Sequence, residues 1–147
     1  MATLLELLGG PPKRAAVVDD ALRVLDAEVD DKSGLSGIAI KTAFKVVRGI
    51  SPDFLRNTVD HLLDDFLKAL DPIYQEAVQR GVDARQHMTS NPSRVADQLL
   101  AITDGRAARA KNQVVKKTYE KLRDGAKKHV EAAVPRLGDL FARHVGN

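Results

Sequence analysis

Apolar side chains recur at intervals of three and four along nearly the whole of this chain, and no run of alternating β-branched residues interrupts them. A period near 3.6 gathers such residues on one face of a helix, whereas a half-buried strand needs a period of two. The chain is therefore expected to be all-α. Its 147 residues suit a single domain that buries about 68–70% of the surface its unfolded form exposes. With no cysteine in the sequence, disulfide staples, thiolate metal sites and thiol nucleophiles are excluded together, and a reducing, cytoplasmic setting is the expectation.

Caps and breakers divide the pattern. Residues 3–8 form a short amphipathic turn with Thr3 as cap, broken by Gly9, Gly10, Pro11 and Pro12, so residues 1–12 are expected as a loosely packed arm ahead of a helical domain over 13–147. A long helix follows from Lys13 to Asp31, with Val18, Leu22, Leu25 and Val29 inward. Leu35 to Arg48 is mostly apolar, with Lys41, Lys45 and Arg48 as one narrow cationic stripe, which is the pattern of a nearly surrounded central helix. Ser51, Pro52 and Asp53 open the next helix, whose stripe of Leu55, Val59, Leu62, Phe66, Leu70, Ile73 and Ala77 runs to Gly81. Pro72 has no N–H for the Lys68 carbonyl, and a kink, or two nearly collinear helices, is expected there.

Residues 82–90 read as a polar connector. Asn91 and Pro92 start a short helix with Val95, Leu99 and Ile102 inward, and Asp104 and Gly105 mark a joint before a basic helix. Pro135 begins a last helix with Leu137, Leu140, Phe141 and Val145. The sum is a single bundle of five to six main helices, one kinked at Pro72, with Phe44, Phe54, Leu62, Phe66, Leu70, Leu99, Leu122 and Leu140 in its core. A faint recurrence of Thr58, Leu62, Asp64 and Lys68 as Thr118, Leu122, Asp124 and Lys128 is too common in amphipathic helices to establish a repeat.

Charge is distributed unevenly. Residues 1–75 hold 9 basic and 12 acidic side chains, and residues 76–147 hold 14 and 8. Residues 106–128 alone carry Arg106, Arg109, Lys111, Lys116, Lys117, Lys121, Arg123, Lys127 and Lys128 against Glu120 and Asp124. Such a face can meet an anionic partner, or it can pair with the acidic 19–31 stretch inside the fold.

Tests for chemistry fail one after another. Gly34 to Thr42 ends in Lys-Thr like a phosphate-binding loop, but Ile40 stands where the loop needs glycine and a helix stands where it needs a strand. Asp26, Glu28, Asp30 and Asp31 have the oxygen spacing of a calcium loop without its glycine or its closing glutamate. His61, His87, His129 and His144 are scattered and follow no helical metal-ligand spacing, so no metal or cofactor is expected. Asp83, Arg85, His87 and Arg94 form the richest polar cluster, which turn and cap hydrogen bonds account for more simply than catalysis. The leucines at 4, 5, 7 and 8 are interrupted by Glu6 and follow no basic residue, unlike a secretory signal, and no stretch approaches the roughly 20 apolar residues of a membrane span. Leu35 to Ile50 could lie on an anionic membrane surface, but its polar arc is too narrow.

The segments "KSGLSGIAIKTAFKVVRGISPDFLRNTVDHLLDDFLKALDP" and "ADQLLAITDGRAARA" resemble an uncharacterised family of small helical proteins from actinobacteria, over most of the chain. The resemblance implies an all-α domain and assigns no activity or site. The expected role is a non-enzymatic interaction or structural domain, with the basic surface of Arg106, Arg109, Lys116, Lys117, Lys121, Lys127 and Lys128 turned to an acidic protein or to a second copy of the chain. Sequence-independent nucleic-acid binding through the same face is the alternative, weakened by the lack of aromatics interleaved among the cations. A small-molecule site or weak enzyme within residues 83–97 is the third.

Overall fold

The computed structural model describes residues 2–145 and is all-α over that range. Seven helices follow in order: α1 Leu4–Leu8, α2 Lys13–Asp31, α3 Gly34–Arg48, α4 Phe54–Arg80, α5 Ala84–Thr89, α6 Pro92–Ala108 and α7 Gln113–Val145. The expected count of five to six is exceeded because the two shortest segments, α1 and α5, are helical and packed.

The long helices α4 and α7 organise the rest without close approach of their backbones. No Cα of α4 lies within 8 Å of a Cα of α7, yet each of the other five helices packs on both. The core fills the resulting seam: Leu63, Leu67, Leu70 and Ile73 of α4 meet Val134, Leu140 and Phe141 of α7 around Val17, Val18, Val24, Met88 and Val95.

Several sequence expectations are corrected by this arrangement. Within the segment expected to pack loosely, Leu4 and Leu8 are 1% and 0% exposed and join the core. Thr3 and Glu6 form a reciprocal capping box that holds α1 helical, and the Leu4 amide donates to Asp71 Oδ1 at 2.9 Å. Residues 84–89 of the supposed connector form α5, which buries Met88. Far from being central, α3 is peripheral: it buries only Gly37, Ile40 and Ala43, and leaves Leu35 89% and Ile38 63% exposed.

Both internal prolines sit within continuous helices. α4 runs 27 residues through Pro72, and α7 runs 33 residues through Pro135. A proline costs a helix one hydrogen bond and some steric strain, and packing on both sides of each proline offsets that here. Pro135 therefore begins no new helix. The C-terminus of α4 is as its glycine implies: Gly81 adopts φ +67°, and the Val82 amide donates to the Ala77 carbonyl at 3.0 Å.

The α4 stripe is buried as expected at Leu62, Leu70, Ile73 and Ala77, and Leu63 and Leu67 join it. Leu140 is buried too, but Phe44, Phe54, Phe66, Leu99 and Leu122 are only partly so, and Leu67, at 1% exposure, lies deeper than its neighbour Phe66. Leu67→Ala should lower the unfolding free energy by about 2–5 kcal/mol, and Phe66→Ala by less. Urea midpoints of the two variants check the order, and the reverse order would contradict this assignment.

Candidate functional site: a cationic groove on the α4–α7 seam

The nine cations of residues 106–128 do not share one helix. α6 continues past Asp104 and Gly105 to Ala108, and the joint falls at residues 109–112. Asn112 sets the restart, because its Oδ1 accepts from the Val114 amide at 2.9 Å and the Val115 amide at 3.2 Å, as an N-cap does. Arg106 thus lies on α6, Arg109 and Lys111 in the joint, and the remainder on α7.

Asp104 is a clamp between α6 and α7. Its carboxylate accepts from Arg123 Nε at 2.7 Å and Nη2 at 3.1 Å, and from the Tyr119 hydroxyl at 2.5 Å. The Arg123 bonds first, then that of Tyr119, hold the Asp104 carboxyl below its ordinary pKa, while burial and then the Asp104 bond push the Tyr119 phenol up. Lys127 pairs with Asp97 of α6 at 3.0 Å. Arg106, Arg109, Lys111, Lys116, Lys117, Lys121 and Lys128 have no ion pair or hydrogen bond among the described residues, and all but the half-buried Lys116 are exposed.

The acidic face of α2 does not neutralise them, because other arginines occupy it. Asp20 receives Arg143 Nε and Nη2 at 2.9 Å each, with His144 Nε2 also 2.9 Å away. Burial pushes the Asp20 carboxyl up, but the bonds from Arg143 and His144 together outweigh burial and leave its pKa below the ordinary value. Glu28 takes Arg136 at 3.0 Å and Lys32 at 3.6 Å. Asp31 also takes Arg136, Asp19 takes Arg56, and Asp26 takes Arg48.

Three of the unpaired cations rim a groove. Arg106, Arg109 and Lys111 border a hollow of about 510 Å³ between Phe54, Thr58 and Leu62 of α4 and Val115 and Tyr119 of α7. Its lining is predominantly apolar. Thr103 and Ala107 of α6 and Ala110 of the joint complete it.

The polar cluster of residues 83–94 is divided between two places. Asp83 and Arg85 line a hollow of about 350 Å³ with Tyr74, Val78 and Phe141, and Arg85 also pairs with Asp139 of α7. His87 and Arg94 converge instead on Glu76 of α4: His87 Nε2 lies 3.1 Å from Oε1, and Arg94 spans both oxygens. Arg94 first, then His87, hold the Glu76 carboxyl down at about 2. The other histidines are also held locally, with His129 Nε2 2.7 Å from Ser36 Oγ and His61 Nδ1 2.6 Å from the Asn57 carbonyl oxygen. No group of three or more histidine, cysteine or acidic side chains among the described residues could hold a metal ion, and no described helix is long and apolar enough to cross a membrane.

The model of a family of unknown function, DUF6918, matches residues 4–145. The chain belongs to DUF6918. No curated protein and no solved structure matches it. The DUF6918 match spans all seven helices and so includes both walls of the groove.

Sequence reading did not anticipate Phe54, Thr58, Leu62 and Val115 as a groove wall, because on the helical wheel they continue the core stripe. What brings them to a groove is the distance between α4 and α7, to which periodicity is blind. Asn112, a capping residue two positions before Val114, was the one local signal of where the basic stretch breaks.

Acid sensitivity follows from Glu76. Its folded pKa of about 2 lies below the ordinary 4.5, so its stabilisation is full above the ordinary value and drains away as pH falls towards the folded one. The stability gap between the parent and Glu76→Gln should be widest above about pH 5 and shrink towards pH 2. Thermal unfolding of both proteins across that range checks it; a gap that widens on acidification would refute the assignment.

Proposed function

We propose that this chain is a helical protein-interaction domain that engages an acidic protein surface through the end of α6, the 109–112 joint and the N-terminal half of α7. One observation carries the reading: seven cations of residues 106–128 have no ion pair or hydrogen bond among the described residues, while Asp19, Asp20, Asp26, Glu28 and Asp31 of α2 are met by arginines elsewhere. Leaving like charges clustered costs stability, and an acidic partner recovers it on binding. An acidic polypeptide suits this face better than nucleic acid, because Tyr119, the one aromatic of the stretch, has its hydroxyl tied to Asp104 and Thr103 and is not free to stack on bases.

The reading is tested with poly-glutamate and an arbitrary DNA duplex, each titrated at low and moderate salt. Poly-glutamate is expected to bind at low salt, more tightly than the duplex per anionic charge, and to weaken as salt is added. Reversing Lys116, Lys117 and Lys121 to glutamate together should weaken poly-glutamate binding by about tenfold or more without lowering the melting temperature. Unchanged binding in the triple variant would refute the proposal, and tighter binding of duplex would reassign the face to nucleic acid.

A further inference from the structure

Five helices pack against both α4 and α7, and the hollow under Arg106, Arg109 and Lys111 lies between those two walls beside the end of α6, whose Thr103 and Ala107 also line it. The molecule shows what such a place accommodates. α1 is a five-residue amphipathic helix that packs against both long helices, burying Leu4 and Leu8 at i and i+4 and leaving Glu6 exposed. Phe54, Thr58 and Leu62 on one wall, and Val115 and Tyr119 on the other, are likewise spaced by four, a repeat that side chains at i and i+4 of an inserted helix would match.

We infer that the groove receives an amphipathic helix of the partner, whose apolar i and i+4 residues enter between Phe54, Leu62, Val115 and Tyr119 and whose flanking carboxylates meet Arg106, Arg109 and Lys111. The inference rests on the proposed acidic partner and adds its shape: an ordered apolar anchor as well as charge. The groove supplies the part of recognition that salt does not screen, since apolar burial is non-directional and insensitive to ionic strength of this order. The cations around it supply orientation and encounter rate. A groove without charge would accept any apolar helix, and a charged face without a groove any polyanion; together they select an acidic amphipathic one.

The test uses the full chain and two synthetic peptides of about 18 residues, five helical turns. One sets leucines at i, i+3, i+4 and i+7 with glutamates elsewhere, and the other has the same composition scrambled to remove the apolar face. The patterned peptide should bind about tenfold tighter or more than the scrambled one and keep part of its affinity at moderate salt. Filling the groove from its α4 wall by Thr58→Trp, or by the smaller Thr58→Phe, should remove that advantage while leaving poly-glutamate binding unchanged. Far-UV circular dichroism and melting temperature establish that each variant folds, and either folded variant suffices. Equal binding of the two peptides, or filled variants that bind the patterned peptide normally, would overturn the groove assignment and leave the basic-face reading intact. Loss of poly-glutamate and peptide binding alike would remove both. Tryptophan-sensitive binding of dodecanoate in place of the peptide, or a concentration-dependent dimer abolished by Thr58→Trp, would also overturn it, assigning the groove to a small amphiphile or to a second copy.

Discussion

Asp20 and Glu28, two buried carboxylates on α2, fix how this molecule apportions its charge. At 7% and 8% exposure neither can remain ionised without close partners, because a desolvated carboxylate left alone costs several kcal/mol. Arg143 and His144 satisfy the first, and Arg136 and Lys32 the second. All but Lys32 come from the C-terminal third of α7, so that third is anchored to α2 and its arginines are committed. In the N-terminal half of the same helix the ion pairs among the described residues are those of Lys127 and Arg123 with Asp97 and Asp104 of α6. The unpaired cations of α7 are what remains when a 33-residue helix is neutralised from one end.

The apolar framework has a comparable asymmetry. α4 and α7 do not approach closely along their backbones, and the other five helices each pack against both. This explains why a segment as small as α1 holds two of the most deeply buried side chains, and why α5 is ordered at six residues, far below the length at which an isolated helix persists. The same spacing leaves a groove beside the end of α6. Charge partition and helix spacing thus bring free cations and partly buried apolar walls to one place, although neither depends on the other.

Much of this architecture is legible in the sequence, and the remainder is hidden for identifiable reasons. Lys13 to Asp31 as a helix, Thr3 as a cap and Gly81 as a terminator follow from local chemistry, and the structure has them there, while Asn91 holds the N-cap position of α6 without a side-chain bond to its first turn. Pro135 misleads because the cost of a helical proline is local, while the packing that offsets it is tertiary. Leu35 to Arg48 misleads in the opposite direction: its hydrophobicity implies burial, yet Leu35 and Ile38 face outward, and periodicity cannot say how many sides of a helix find neighbours. The charge run at 106–128 is plain in the sequence, but which of its members are free is decided by Asp97, Asp104 and the arginines that take α2. For the groove, only Asn112 left a local trace.

Residue-by-residue lysine acylation of the native protein, read by mass spectrometry at low salt, tests this charge partition most directly. Lys111, Lys117, Lys121 and Lys128 are predicted to react about as fast as in the unfolded chain. Lys32, held against Glu28, and Lys127, held against Asp97, are predicted to lag, and added poly-glutamate to protect the first set alone. Protection of Lys117, Lys121 and Lys128 in the free protein, or a polyanion footprint spread evenly over the molecule, would contradict the account.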